Sequence, residues 1–79
     1  MQLLVTTPTQ VGEILRRRRK SRRMAQRELA EKLGVSQGRL SALESDPASL
    51  TLERLIVLAK LLGLELVLRD KSAASSAEW

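Results

Sequence analysis

The side chains of this sequence that are best suited to bind another molecule are amide, guanidinium and hydroxyl groups near the start of one predicted helix. Gln37 can form two hydrogen bonds with the edge of an adenine, and Arg39 can reach the edge of a guanine or a phosphate. Ser41 can donate or accept, and Gly38 leaves room for close approach to a thymine methyl group. These residue types at this spacing favour contact with the base edges of a nucleic acid.

The residue types that most enzymes and metal sites use are missing from the sequence. The 79 residues include no cysteine, no histidine and no tyrosine. A cysteine nucleophile, a histidine base and the usual Cys/His zinc ligands are therefore excluded, and no glycine-rich phosphate loop is present. We expect no enzymatic activity, no metal ion or other cofactor, and no small-molecule ligand.

The positive charge lies mostly in the first half of the chain. Residues 1–41 carry ten Lys and Arg against three acids, a net of +7, whereas residues 42–79 carry four against six, a net of −2. This distribution fits a polyanion partner on one side of the molecule, but it also fits a solvated surface. RNA is the weaker choice of polyanion, because the single aromatic residue, Trp79, provides no platform on which bases stack.

No apolar run in the sequence has the roughly 20 residues that a membrane-spanning helix needs. The first residues lack the basic region and the long apolar core of a signal peptide. We therefore expect a cytoplasmic chain that has no membrane partner.

Apolar spacing and capping residues predict four helices. Their approximate bounds are residues 9–22, 26–33, 37–45 and 52–62. Thr7 or Thr9, Ser36 and Thr51 are the predicted N-caps, and Gly34 and Gly63 the predicted ends. The fourth helix presents a wide apolar face, made of Leu55, Ile56, Leu58, Ala59 and Leu62. Residues 46–49 interrupt the helical pattern.

A turn of about three residues separates the second and third helices and predicts that they cross steeply. Ala30 is small where the third helix passes over it, Gly34 opens the turn, and Val35 fills the corner. Four leucines are expected to hold the helix pair against the other two helices, namely Leu29, Leu33, Leu40 and Leu43. Each feature occurs in many helical bundles, but the joint pattern is far more restrictive.

The segment from Ala25 to Glu44 reads AQRELAEKLGVSQGRLSALE and resembles the helix-turn-helix of the Xre/Cro repressor family. The resemblance covers about residues 9–63. It implies a mainly α, lambda-repressor-like domain of four to five helices that binds palindromic operator DNA as a homodimer. It also implies that Gln37, Gly38 and Ser41 contact bases.

The resemblance further implies that Gln26 and Arg27, at the start of the second helix, contact phosphates. Ala25 departs from the family, which usually has a capping Thr at this place. Ser36 has two open roles, as a helix cap and as a phosphate contact. The basic run Arg16–Arg23 winds around its helix, so only part of it can face DNA.

Residues 64–69 alternate imperfectly, are rich in branched side chains, and predict a short strand. A strand cannot satisfy its own backbone groups. It must pair either with Leu3–Val5 or with its copy in a second subunit, and we favour the second. The predicted dimerisation residues are Leu64, Leu66, Val67 and Leu68. Residues 1–70 then form one DNA-binding and dimerisation domain, and residues 71–79 form a flexible tail.

The layout as a whole is similar to the HipB antitoxin family of HipBA modules. The features shared are Pro8-Thr9-Gln10 at the first helix, the strand after the fourth helix, and the Glu78-Trp79 ending. This narrower resemblance implies a repressor that regulates its own operon and binds a HipA-like Ser/Thr kinase toxin. Trp79 is then either an ordinary chain end or an anchor in a pocket of the partner. The alternative is an Xre-family regulator that has no toxin partner.

Overall fold

The computed structural model describes residues 2–71 and contains four α-helices within them. They are α1 (Pro8–Ser21), α2 (Gln26–Leu33), α3 (Gln37–Ser45) and α4 (Leu52–Leu61). The mainly α, helix-turn-helix architecture is confirmed, and each helix end lies within one residue of its predicted position. A 3₁₀ turn, Pro47–Ser49, occupies the predicted break between α3 and α4. None of these helices is long and apolar enough to span a bilayer.

Three of the four helices begin at a side-chain cap. Thr7 caps α1 by accepting a hydrogen bond from the Gln10 amide, and the Gln10 side chain accepts one from the Thr7 amide in return. Ser36 and Thr51 accept from backbone amides three residues ahead, each at 3.1 Å. Ala25 makes no side-chain cap hydrogen bond at the start of α2. Alanine in place of the capping threonine therefore leaves this helix without a side-chain cap.

The turn between α2 and α3 has the geometry that its sequence predicts. Gly34 adopts the left-handed conformation with φ of 84°, where a Cβ would be strained. The amides of Gly34 and Val35 both donate to the Ala30 carbonyl, at 2.9 and 3.0 Å. These bonds end α2 and turn the chain directly into α3.

The core consists of leucines contributed by all four helices. Five of them are almost fully buried, namely Leu29, Leu40, Leu43, Leu58 and Leu62, and Leu15 of α1 joins them. Burying each such side chain contributes roughly 1.5–3 kcal/mol. Ala30 is 2% exposed, as expected for a position that α3 covers. The apolar face of α4 is narrower than its sequence predicts, because Ile56 is 37% exposed.

Gly12 marks the closest approach between α1 and the end of α3. A Cβ built at Gly12 would overlap the backbone carbonyl oxygen of Glu44 and would lie 3.1 Å from the Pro47 ring. The absence of a side chain at Gly12 therefore allows α1 to pack directly on the α3 C-terminus and the 3₁₀ turn. The sequence pattern did not reveal this role.

The segment after α4 is not a strand in the single chain. Leu64 is half-buried and its amide donates to the Ala59 carbonyl at 2.7 Å, but Leu66, Val67 and Leu68 are 51%, 64% and 98% exposed. Arg69 donates to the Gln2 side chain at 3.0 Å, so the two terminal segments meet without forming a backbone ladder within residues 2–71. Pairing between two copies stays a prediction. Trp79 lies outside the described residues.

Candidate nucleic-acid interface

The first turns of α3 bring the predicted base-contacting residues together. Gln37, Gly38 and Arg39 are exposed, and Ser41 is half-buried. Behind them Leu40 and Leu43 anchor the same helix in the core. An α-helix fits the major groove of B-DNA, and these side chains have the donors and acceptors that distinguish its base pairs. Their contacts with DNA stay predictions.

Gly38 is an open position on this surface. A Cβ built there meets no atom within 4 Å, and the helix conformation of Gly38 is available to any residue. The protein itself therefore imposes no need for glycine at position 38. This openness is compatible with the predicted close approach of a ligand to the α3 backbone.

The start of α2 presents the two predicted phosphate-contacting residues. Arg27 is exposed and Gln26 is half-buried. The first amides of a helix have no intrahelical acceptor and carry a partial positive charge, which suits a phosphate oxygen. Ser36, at the start of α3, uses its hydroxyl oxygen to accept from the Arg39 amide at 3.1 Å. The capping role of Ser36 is therefore confirmed, and its contact with phosphate stays a prediction.

A buried ion pair joins α1 to α3. Arg19 and Glu44 are only 7% and 4% exposed. The guanidinium of Arg19 donates twice to the carboxylate, from Nε to Oε2 at 2.8 Å and from Nη2 to Oε1 at 3.2 Å. Arg19 also donates from Nη1 to the Met24 carbonyl at 3.0 Å, and Gln26 donates from Nε2 to Glu44 Oε1 at 2.9 Å. One carboxylate therefore links α1, α2 and α3.

Sequence reasoning did not find this ion pair, although a signal for it exists. Arg19 follows Leu15 by four residues, and Glu44 follows Leu40 by four, so each charge continues the inward face of its helix. Two opposite charges on buried faces of neighbouring helices must pair, because an unpaired buried charge is strongly unfavourable.

The environment of Glu44 favours its ionised form. Burial by itself would raise the pKa of Glu44, but the hydrogen bonds from Arg19 and Gln26, together with the charges of Arg19 and Arg16, outweigh burial and hold that pKa below its ordinary value. Glu44 is consequently a charged acceptor at neutral pH.

The basic run of α1 divides into structural and solvent-facing cations. Arg19 is buried, and Arg18 donates from Nε to the Leu62 carbonyl at 2.8 Å, which caps the C-terminus of α4. The guanidinium of Arg22 lies beside Gly63. Lys20 and Arg23 are exposed and remain candidates for contact with phosphate. The expectation that only part of the run can face DNA fits this arrangement.

Comparison with known proteins agrees with this geometry. A family model described as Helix-turn-helix matches residues 15–68. The fold is similar to a chain of a HipB–O1–O2 complex, with a TM-score of 0.78 and 29% sequence identity over 87% of this chain and 100% of that one. A chain of a HipA–HipB–O2–O3 complex gives a TM-score of 0.79 and 28% identity over 90% of this chain and 100% of that one. No curated protein matches the sequence.

The family match spans more than half of the chain and includes α2, the Gly34 turn and α3. Both structural matches cover the full length of the compared chain. This protein therefore belongs to the helix-turn-helix family of the Xre/Cro type, and its fold is similar to that of HipB.

Proposed function

We propose that this protein is a transcriptional repressor that binds palindromic operator DNA as a homodimer and acts as the antitoxin of a HipA-like Ser/Thr kinase. The observation that carries the DNA-binding part is the first turn of α3, which exposes Gln37, Gly38 and Arg39 on a helix whose other face is fixed in the core. Repression would follow from occupation of the operator of its own operon. This role requires a cytoplasmic protein.

Two features support the homodimer. A domain of this length buries only roughly 60% of the surface of its unfolded chain, so a second copy adds the apolar contact that the monomer lacks. Leu66, Val67 and Leu68 are three consecutive exposed apolar residues, and within residues 2–71 their segment forms no backbone ladder, so it can offer both side chains and backbone groups to a second copy. Pairing of this segment with its copy would set the two α3 helices about 34 Å apart, which is one turn of DNA.

The antitoxin role is supported by the likeness to HipB. One of the similar structures is a complex that contains HipA together with HipB. The proposed partner is thus a HipA-like kinase, and Trp79 is the proposed anchor in a pocket of that partner. A stand-alone regulator remains the second candidate, because the family match concerns only the helix-turn-helix, which such a regulator also has.

Selection of bound sequences from a random pool of duplex DNA tests the DNA-binding part. We expect a short palindrome whose half-sites are centred about one helical turn apart. Recovery of a single asymmetric half-site would contradict the dimer, and recovery of no enriched sequence would contradict sequence-specific binding.

The genes that neighbour this one in the host genome test the antitoxin part: we expect one of them to encode a HipA-like kinase, and that kinase is then co-expressed with this protein. We expect co-purification, relief of kinase toxicity, and a loss of both when Trp79 is replaced by alanine. Lys71→Ala, a change in the same region, is the control. Intact operator binding without a kinase complex would instead identify a stand-alone regulator.

A further inference from the structure

We infer that Glu44 is a positioning residue for DNA binding, because its carboxylate turns the side-chain amide of Gln26 so that the amide donates a hydrogen bond to a DNA phosphate. The inference rests on the proposed DNA-binding function. It specifies which atom of Gln26 meets the DNA and which residue aims that atom.

The orientation follows from hydrogen-bond chemistry. An ionised carboxylate only accepts, so the side chain of Gln26 must present its NH₂ group and not its carbonyl to Glu44. The distance from Nε2 of Gln26 to Oε1 of Glu44 is 2.9 Å, within the range of a hydrogen bond to a charged acceptor. The NH₂ group has two hydrogens, and Glu44 takes one. The other diverges from the first by about 120° and is the hydrogen that would meet the phosphate.

The charge of Glu44 does not prevent the approach of a phosphate. Arg19 neutralises the carboxylate through two hydrogen bonds at 2.8 and 3.2 Å, so the pair aims Gln26 while adding no net charge. Arg27 follows Gln26 directly and is exposed, which adds positive charge at the start of α2. A phosphate oxygen at this helix start would meet the amide hydrogen of Gln26, the first backbone amides of α2, and Arg27.

Gln26 is an additional partner of Glu44, and replacement of Glu44 would release it. The Arg19–Glu44 pair already satisfies both carboxylate oxygens, so Gln26 is not needed to neutralise Glu44. If Glu44 is replaced by glutamine, the side chain at position 44 can donate as well as accept a hydrogen bond. Gln26 can then turn over, so that its carbonyl faces the DNA in place of its NH₂ group. Loss of one hydrogen bond to a charged group corresponds to about a tenfold loss in affinity.

The test measures operator binding on DNA in which single phosphates are replaced by uncharged methylphosphonates. For the unaltered protein we expect about a tenfold loss at one phosphate in each half-site, beyond the loss at neighbouring phosphates. Gln26→Met should bind unmodified DNA about tenfold more weakly and show no further loss at that phosphate. Glu44→Gln should likewise show no further loss of affinity when that phosphate is replaced. Replacement of the other phosphates should weaken its binding as much as it weakens that of the unaltered protein. Glu31→Gln, an equal change in charge on the exposed side of α2, is the control.

A purely structural role for Glu44 predicts a different result. Glu44→Gln would then lower affinity by one factor on every DNA, and the phosphate that responds to Gln26→Met would keep its full effect. This outcome would overturn the inference while leaving the proposed function intact. If the unaltered protein showed no sequence-specific binding to DNA, the proposed function itself would be overturned.

A second measurement needs no change at position 44. In NMR spectra of the unaltered protein, one of the two side-chain amide protons of Gln26 should be protected from exchange when the protein is free. Both should be protected when operator DNA is bound. Rapid exchange of both protons in the free protein would contradict the fixed orientation.

Discussion

Replacement of Gly12 by alanine tests whether the close contact between α1 and the end of α3 is required for folding. The added Cβ would overlap the Glu44 carbonyl oxygen and lie 3.1 and 3.3 Å from two atoms of the Pro47 ring. Backbone atoms and a proline ring cannot rotate away as a flexible side chain does. The helices must therefore separate to accommodate one methyl group.

Two opposing contributions determine the size of the effect. Alanine stabilises a helix interior by about 1 kcal/mol relative to glycine. Overpacking of a tight contact costs about 1–3 kcal/mol, and an obstacle made of backbone puts Gly12→Ala at the upper end of that range. The expected net loss of unfolding free energy is about 2 kcal/mol. In a domain of this size, that loss lowers Tm by roughly 8–16 °C.

Thermal unfolding followed by circular dichroism measures this loss, and Gly38→Ala is the matched control. Gly38 is also helical, but a Cβ there meets no atom within 4 Å. The same substitution should leave Tm unchanged or raise it by a few degrees. Equal Tm values for the two variants would refute the assignment of Gly12 as a packing contact.

Three further outcomes are expected. Arg19→Met or Glu44→Leu alone should lower the free energy of unfolding in urea by about 3–5 kcal/mol, because each single variant leaves a buried charge unpaired. The double variant should recover most of this stability, and additive losses would contradict the buried pair. The folded-state pKa of Glu44 lies below its ordinary 4.5, so its contribution to stability is present above pH 4.5 and is lost as pH falls through the folded pKa. If the stability of Glu44→Gln and that of the unaltered protein fell equally with acid, this contribution would be contradicted. Leu68→Asp should give monomers by analytical ultracentrifugation without loss of helix, since Leu68 is 98% exposed in the single chain.

The helices and the turn were predictable because their signals are local. The caps at Ser36 and Thr51 and the left-handed Gly34 each act within a few residues, so the sequence indicates them directly. The sequence narrows the first cap to Thr7 or Thr9, and the structure has Thr7. The exposed residues of α3 were predictable for the same reason, since periodicity separates Leu40 and Leu43 from the outward side chains.

The contacts between distant residues were not predictable in this way. Gly12 reads as an ordinary glycine until Glu44 and Pro47 are placed against it. The role of Arg19 is hidden in a run of cations. Its spacing from Leu15 is a weak signal of burial, and its partner Glu44 is 25 residues away. The proposed pairing of residues 64–69 depends on a second chain, and within residues 2–71 of one copy these residues form no backbone ladder.

The central claim is that the first turns of α3 read the sequence of DNA, and the binding preference of Gln37→Ala tests it most directly. Binding of this variant and of the unaltered protein is measured at constant salt on a set of operators in which each base pair is changed in turn. We expect discrimination to fall by about 1–3 kcal/mol at one base pair in each half-site and to stay unchanged elsewhere. An unaltered preference at every base pair, or a uniform loss of affinity, would contradict the claim that α3 provides the base-specific contacts.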